Sequence, residues 1–144
     1  MADENISIIR NFLEEMGAGS LDKAIAYLTD DAMWTIVQTV RGASITKDQL
    51  KTRVGGMRAS FKDAVLHVKL TNFIENGPSV AVEGESYAVT NLGKVYENKY
   101  VYIFKMEGGK IADVREYNDS LHVTEVLLPA VAHMQAQGRP VSKT

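Results

Sequence analysis

Residues 95–118 read VYENKYVYIFKMEGGKIADVREYN, and both halves of this stretch alternate between two kinds of side chain around the turn Glu107-Gly108-Gly109. Alternation with a period of two is typical of half-buried strands, and a short glycine-containing loop between two such runs favours an antiparallel hairpin. Two similar runs precede this stretch, and they end in the loops Asn76-Gly77-Pro78 and Asn91-Leu92-Gly93. The sequence therefore predicts a four-stranded antiparallel meander.

The first part of the chain has a different period. Apolar side chains recur at helical spacing over residues 5–16 and predict a first helix. Ser20 can cap a second, short helix, which we expect to end at Asp30-Asp31. Residues 32–40 are rich in Trp, Thr, Ile and Val, and this composition predicts a strand.

Two further helices are indicated by their capping residues. Thr46 and Gln49 have the spacing of a capping box, which predicts a helix from Lys47 to about Ser60. Asp119 or Ser120 can cap a closing helix after the last strand. Helices before and after a meander predict an α+β fold, in which a curved antiparallel sheet wraps around helices and leaves a hollow on its concave face.

Composition limits both the domain organisation and the class of function. The chain has 144 residues, 45% of them hydrophobic, so we expect a single domain over residues 1–138 and a frayed C-terminal tail over 139–144. It contains no cysteine, which excludes thiol catalysis and zinc-thiolate sites, and its three histidines fit no metal-ligand spacing. The net charge of −2 and the short apolar runs argue against nucleic-acid and membrane partners. We expect a cytoplasmic protein without a metal or cofactor.

Strand alternation also indicates which side chains line the hollow. On the last three strands the inward set is mainly apolar, with a few polar groups among the apolar ones, which is typical of a ligand pocket. The predicted site residues are Trp34, Ile36, Ser86, Asn98, Tyr100, Tyr102, Val114, Glu116 and Asn118. Glu116 stands out, because a buried carboxylate must be paired, protonated or hydrated.

Several segments of the sequence resemble a known family. Asp30-Asp31-Ala32, the helix that Thr46 opens, the run 96–104, Gly109-Lys110-Ile111 and the run 115–119 are similar to those of SnoaL-like proteins. These proteins belong to the nuclear transport factor 2-like superfamily, together with ketosteroid isomerase and limonene epoxide hydrolase. The resemblance covers residues 5–128 and implies the cone-shaped α+β fold of that superfamily.

The resemblance also identifies chemistry that this chain lacks. Steroid isomerases of the superfamily use a tyrosine on the first helix, an aspartate base on the first strand and a protonated acid on a later strand. The corresponding positions here are Phe12, Ile36 and Tyr100. The epoxide hydrolases use an Asp-Arg-Asp set, and Gly84 and Ser86 stand where the arginine and one aspartate would be. The resemblance therefore supports neither of these two activities.

One catalytic role does carry over. SnoaL-type polyketide cyclases use a single acidic residue on the last strand as general base, and the resemblance places Glu116 at that position. We therefore predict a cofactor-independent isomerase, cyclase or lyase that acts on a small hydrophobic carbonyl compound, with Glu116 as the base and Asn98, Tyr100 or Tyr102 as hydrogen-bond donors.

Two other interpretations stay open. Glu116 can be a structural carboxylate, in which case the protein is a non-catalytic binding module for an apolar ligand. The chain can also be an interaction domain whose core is filled, with Trp34 as part of that core. In every case we expect a homodimer, because the outer sheet face carries a mixed apolar and charged strip that includes Val101, Ile103 and Tyr117.

Overall fold

The computed structural model describes residues 2–37 and 43–138 of the chain. The predicted tail over 139–144 and the predicted strand residues 38–40 lie outside this range. The helices are α1 (Ala2–Ala18), α2 (Leu21–Ile25), α3 (Lys47–Arg58), α4 (Ser120–His122) and α5 (Leu128–Gly138), with a 3-10 turn at Lys62–Ala64 and a π-helical turn at Val123–Leu127. The strands are β1 (Leu28–Ile36), β2 (Ala43–Thr46), β3 (His67–Asn76), β4 (Ser79–Val89), β5 (Val95–Glu107) and β6 (Lys110–Asn118).

The strands form one six-stranded sheet in the order β2-β1-β6-β5-β4-β3. Strands β3 to β6 are the predicted antiparallel meander, and β1 joins it by lying parallel to β6. Helices pack on the concave side of this curved sheet. The α+β fold with a curved sheet wrapped around helices is therefore confirmed, and the parallel β1–β6 pair is an addition that the sequence pattern did not show.

Local signals fixed most element boundaries. The Thr46 side chain accepts a hydrogen bond from the backbone of Gln49, and the Gln49 side chain accepts one from the backbone of Thr46, so the capping box is formed. Ser20 caps α2, as its position predicted. The expectation that Asp30-Asp31 ends the second helix is wrong, because both residues lie inside β1, which starts at Leu28.

Two bulges change which side chains face inward. Strict alternation would place Ile74 on the same face as Leu70, but the β3–β4 register shifts between Leu70 and Asn72. After this shift Ile74 is 61% exposed. A second shift, where β5 pairs with β6, makes Ile111 fully buried, whereas alternation from Val114 would have put Ala112 in that place. One extra residue in a strand moves every later side chain to the opposite face.

Close contact between α1 and the start of β3 closes one end of the cone. The Gly17 carbonyl accepts a hydrogen bond from the backbone N–H of Leu66 at 2.8 Å. A Cβ atom at position 17 would collide with the Leu66 carbonyl oxygen, so the approach requires glycine. Leu66 also packs in a buried cluster with Phe61, Tyr96 and Leu127 of the π-helical turn.

The π-helical turn has a cause in the sequence. Pro129 lies two residues after the turn ends at Leu127, and a proline in a helix has no N–H and would clash with the carbonyl four residues earlier. The wider turn relieves this crowding, with the Leu128 N–H bonded to the Val123 carbonyl. None of the helices within the described ranges is both long and apolar enough to cross a membrane.

Candidate active site

A cavity of about 310 Å³ lies between the concave face of the sheet and the helices. Its walls are almost entirely apolar. Side chains from α1, α3, β3 and the C-terminal helical region supply them, among others Leu13, Leu50, Val54, Val68, Leu127 and Val131. A hollow of this size and lining is suited to a small apolar molecule.

Glu116 lies on the wall of this cavity and is partly buried. Each of its carboxylate oxygens accepts one hydrogen bond: Oε1 from Trp34 Nε1 at 3.1 Å, and Oε2 from Asn118 Nδ2 at 2.7 Å. These donors come from β1 and β6, which are adjacent strands, and Trp34 and Asn118 each lie two residues from the paired positions Ile36 and Glu116. The carboxylate is thus held at both oxygens.

Burial raises the pKa of the Glu116 carboxyl above its ordinary value of 4.5. The hydrogen bonds from Asn118 and Trp34 oppose this shift, because they stabilise the charged form. The net effect is a carboxylate that is more basic than a solvated one. A raised pKa in a cavity is a property of a general base or acid.

The Tyr102 phenol is the neighbouring polar group. Tyr102 pairs with Glu116 across β5 and β6, and its ring stacks on Tyr100 with 5.2 Å between centroids. Burial, followed by the negative charge of Glu116, raises the pKa of Tyr102 well above 10.0, so the phenol stays protonated at neutral pH. Its hydroxyl forms no hydrogen bond with any side chain in residues 2–37 and 43–138, which leaves its proton available to a ligand.

Four other polar side chains form a network beside the cavity. The hydroxyls of Ser86 and Tyr100 are 2.8 Å apart, and those of Tyr100 and Tyr96 are 3.4 Å apart. Asn98 donates to the Tyr96 hydroxyl at 2.9 Å and accepts from the backbone N–H of Asp119 at 2.9 Å. These bonds fix the end of β6 against β5.

The structure brings most of the sequence-predicted site residues together. The predicted residues on the cavity wall are Trp34, Ile36, Tyr100, Tyr102, Glu116 and Asn118. Val114 is buried beside Trp34, with which it pairs across β1 and β6, and it does not line the cavity. Ser86 and Asn98 do not line it either, because their side chains face the polar network and a separate surface groove.

The pattern of strand alternation could not identify the helical part of the wall. Leu50, Arg53, Val54 and Met57 of α3 all line the cavity, and they follow one another at helical spacing. This stripe could have been found from the sequence as the inner face of the helix that the capping box predicts. Arg53 is the functional candidate that the strand-based reasoning missed.

Histidine chemistry is not part of this site. His122 Nε2 accepts the backbone N–H of Glu97 at 3.0 Å, and its ring stacks on Tyr96 with 5.3 Å between centroids. It therefore fixes α4 to β5. Across the described ranges, no cluster of three or more His, Asp or Glu side chains could hold a metal ion.

A family model described as a SnoaL-like domain matches residues 9–114 of the chain. The chain belongs to the SnoaL-like domain family. The match runs from within α1 through most of β6 and ends two residues before Glu116, so membership shows the fold and not the role of Glu116. No match was found among curated protein sequences.

Several solved structures share the architecture of this SnoaL-like protein. PrhC of Penicillium brasilianum superposes with a TM-score of 0.79 at 14% identity, covering 94% of this chain and 93% of its own. An epoxide hydrolase from M. tuberculosis of the limonene epoxide hydrolase type gives 0.71 at 19% identity, covering 94% and 98%. A proposed SnoaL-like polyketide cyclase from a Jannaschia species gives 0.72 at 16% identity, covering 87% and 92%. At these identities the likeness shows the fold alone.

Proposed function

We propose that this SnoaL-like protein is a cofactor-independent isomerase, cyclase or lyase for a small hydrophobic carbonyl compound. Glu116 acts as general base and removes a proton from the carbon next to the carbonyl. The observation that carries this proposal is a carboxylate with a raised pKa in an apolar cavity, beside a phenol whose proton is free for a ligand.

The neighbouring side chains supply the other requirements of enolisation. Trp34 and Asn118 hold the carboxylate oxygens in place, so no reorientation is needed as the proton moves. The Tyr102 hydroxyl donates a hydrogen bond to the carbonyl oxygen as negative charge builds there. In an isomerisation the bound proton then returns to a different carbon. In a cyclisation the enolate carbon bonds to a second carbonyl carbon, and the alkoxide formed takes the proton from Glu116. In an elimination the enolate expels a leaving group, which takes the proton from Glu116.

The remaining predicted binding residues shape the cavity around such a ligand. We propose that Trp34, Ile36 and Tyr100 contact the apolar body of the ligand, and that Ser86, Asn98 and Val114 support this wall from behind. Phe12 is fully buried and packs against Trp34, which leaves no phenol from α1 at the site. The steroid-isomerase and epoxide-hydrolase reactions are therefore not part of the proposal.

Proton exchange tests this chemistry without knowledge of the natural substrate. Incubated in D₂O with apolar bicyclic ketones such as 2-decalone, the protein is expected to accelerate deuterium incorporation next to the carbonyl, as measured by mass spectrometry. Tyr102→Phe is expected to lower that rate by about 100-fold, the cost of losing one oxyanion donor. Tyr117→Phe, on the outer face of the sheet, is the matched control and should leave the rate unchanged.

Two results would contradict the proposal in different ways. An unchanged rate in Tyr102→Phe would remove Tyr102 from the mechanism. Ketones that bind, as seen by quenching of Trp34 fluorescence, but exchange no faster than in buffer would favour the second candidate function. That candidate is a non-catalytic binding protein, and the specific observation in its favour is that Glu116 has both carboxylate oxygens satisfied by the protein.

We also propose a homodimer through the outer face of the sheet. Val101 and Ile103 lie there at the centre, and Tyr87 and Tyr117 are 46% and 37% exposed. Sedimentation is expected to give twice the chain mass for the wild type and the chain mass for Val101→Glu, because an unpaired carboxylate in an apolar interface is costly to bury. Leu121→Glu, at a 65% exposed position outside this face, should remain dimeric. A monomeric wild type would contradict the proposal.

A further inference from the structure

The cavity wall carries two charged side chains among the residues that the structure describes, Glu116 and Arg53. Arg53 lies on α3 at the cavity-facing stripe formed with Leu50, Val54 and Met57. It is exposed to solvent and lines the cavity at the same time, so it stands at the opening. Within residues 2–37 and 43–138, the Arg53 guanidinium is thus the one cation on the wall that a ligand in this hollow would meet.

The other basic side chains of α3 form hydrogen bonds or ion pairs with neighbouring parts of the protein. Lys51 forms an ion pair with Asp22 at 2.6 Å, and Lys47 donates to the Leu28 carbonyl at 3.1 Å. Arg58 donates to the carbonyls of Gly19 and Ala64 at 2.9 and 2.8 Å. Arg53 forms no hydrogen bond or ion pair with any residue in the described parts of the chain.

Arg53 forms no ion pair with Glu116 either. The Glu116 carboxylate is held by Trp34 and Asn118, and Arg53 is not among the groups that shift its pKa. A nearby guanidinium would lower that pKa, and the groups that lower it are the hydrogen bonds from Asn118 and Trp34. Arg53 is therefore not the partner of the Glu116 carboxylate.

We propose that the ligand of this cavity carries a carboxylate, or an anionic group of like geometry, which Arg53 binds at the opening. The planar guanidinium fork matches a carboxylate, and an anion near Glu116 would be repelled, so the ligand enters with its carbonyl end first. This inference rests on the proposed function and narrows its substrate class to apolar keto acids and related carbonyl compounds with a distal anionic group.

A pair of probes of equal shape tests the charge requirement. Calorimetry measures the dissociation constants of 1-naphthaleneacetic acid, which is anionic at pH 7, and of its uncharged amide. In Arg53→Gln the ratio of the two constants is expected to shift against the acid by roughly five- to tenfold, with the amide unchanged. Lys51→Gln removes the same charge from the same helix but not from the cavity, and it should leave the ratio as in the wild type.

Salt provides a second readout, since the preference for the acid should shrink as ionic strength rises. The inference is overturned if Arg53→Gln leaves the ratio unchanged, if Lys51→Gln shifts it equally, or if the acid fails to bind the wild type at millimolar concentration. The same titrations on Glu116→Gln separate this inference from the proposed catalysis. If another residue is the base, Arg53→Gln should still shift the ratio of dissociation constants against the acid. If Arg53→Gln leaves that ratio unchanged, the protein can still accelerate deuterium exchange.

Discussion

Glu116→Gln is expected to lower the rate of deuterium exchange into a bound ketone by about 10²- to 10⁴-fold, the usual contribution of a positioned general base. Glutamine keeps the size of the side chain and one oxygen acceptor, but it cannot take up the proton. Trp34 and Asn118 donate to both oxygens of the carboxylate, so one of them would face the amide nitrogen instead. The rate is measured under the same conditions as for the wild type.

Glu107→Gln is the matched control, because Glu107 lies at an exposed turn at the end of β5. The Glu107→Gln variant should catalyse deuterium exchange at the wild-type rate. Equal rates for Glu116→Gln and the wild type would show that Glu116 is not the base.

The raised pKa of Glu116 has a consequence for stability as well. A carboxyl whose pKa is higher in the folded state binds its proton more tightly there, so its contribution to stability is present below the unfolded pKa and is lost as pH rises through the folded pKa. The rate of exchange has the opposite dependence, because only the ionised carboxylate can take up a proton, so it should fall on the acid side with a midpoint above the ordinary value of 4.5. The Glu116→Gln variant, which carries no charge at this place, should be no less stable than the wild type at neutral pH.

Phe12→Ala is expected to lower the free energy of unfolding by about 3–5 kcal/mol, since it leaves a cavity in the centre of the core. Phe12 is fully buried, with its ring 5.8 Å from that of Trp34 and 6.2 Å from that of Phe104. Denaturant titration measures the loss. Trp34 is the single tryptophan of the chain, so a red shift of the fluorescence emission would report greater exposure of its indole to solvent.

Leu121→Ala provides the comparison for Phe12→Ala. Leu121 is 65% exposed, and its truncation should change the free energy of unfolding by less than about 0.5 kcal/mol. A loss in Phe12→Ala as small as this would mean that α1 is not held against the sheet through Phe12. Phe12→Ala should also lower the rate of deuterium exchange, because Phe12 packs against Trp34 and Trp34 holds Glu116 Oε1.

Sequence by itself determined the parts of this protein that depend on near neighbours in the chain. The capping box of Thr46 and Gln49 closes within one helical turn, and the loops of the meander join strands that are adjacent in sequence. For the same reason alternation on β5 placed Tyr100 and Tyr102 on the inner face correctly, and it placed Glu116 on β6 beyond the bulge. These features need no information about distant segments.

Tertiary structure alone decided the rest, because it depends on segments far apart in the sequence. Trp34 and Glu116 are 82 residues apart, and only the parallel pairing of β1 with β6 puts the indole N–H on the carboxylate. The bulges arise from the register with a partner strand, which alternation within one strand does not contain. Asn98 has the polar character of a ligand-binding residue, but the position of Asp119 determines that it bonds to the protein instead.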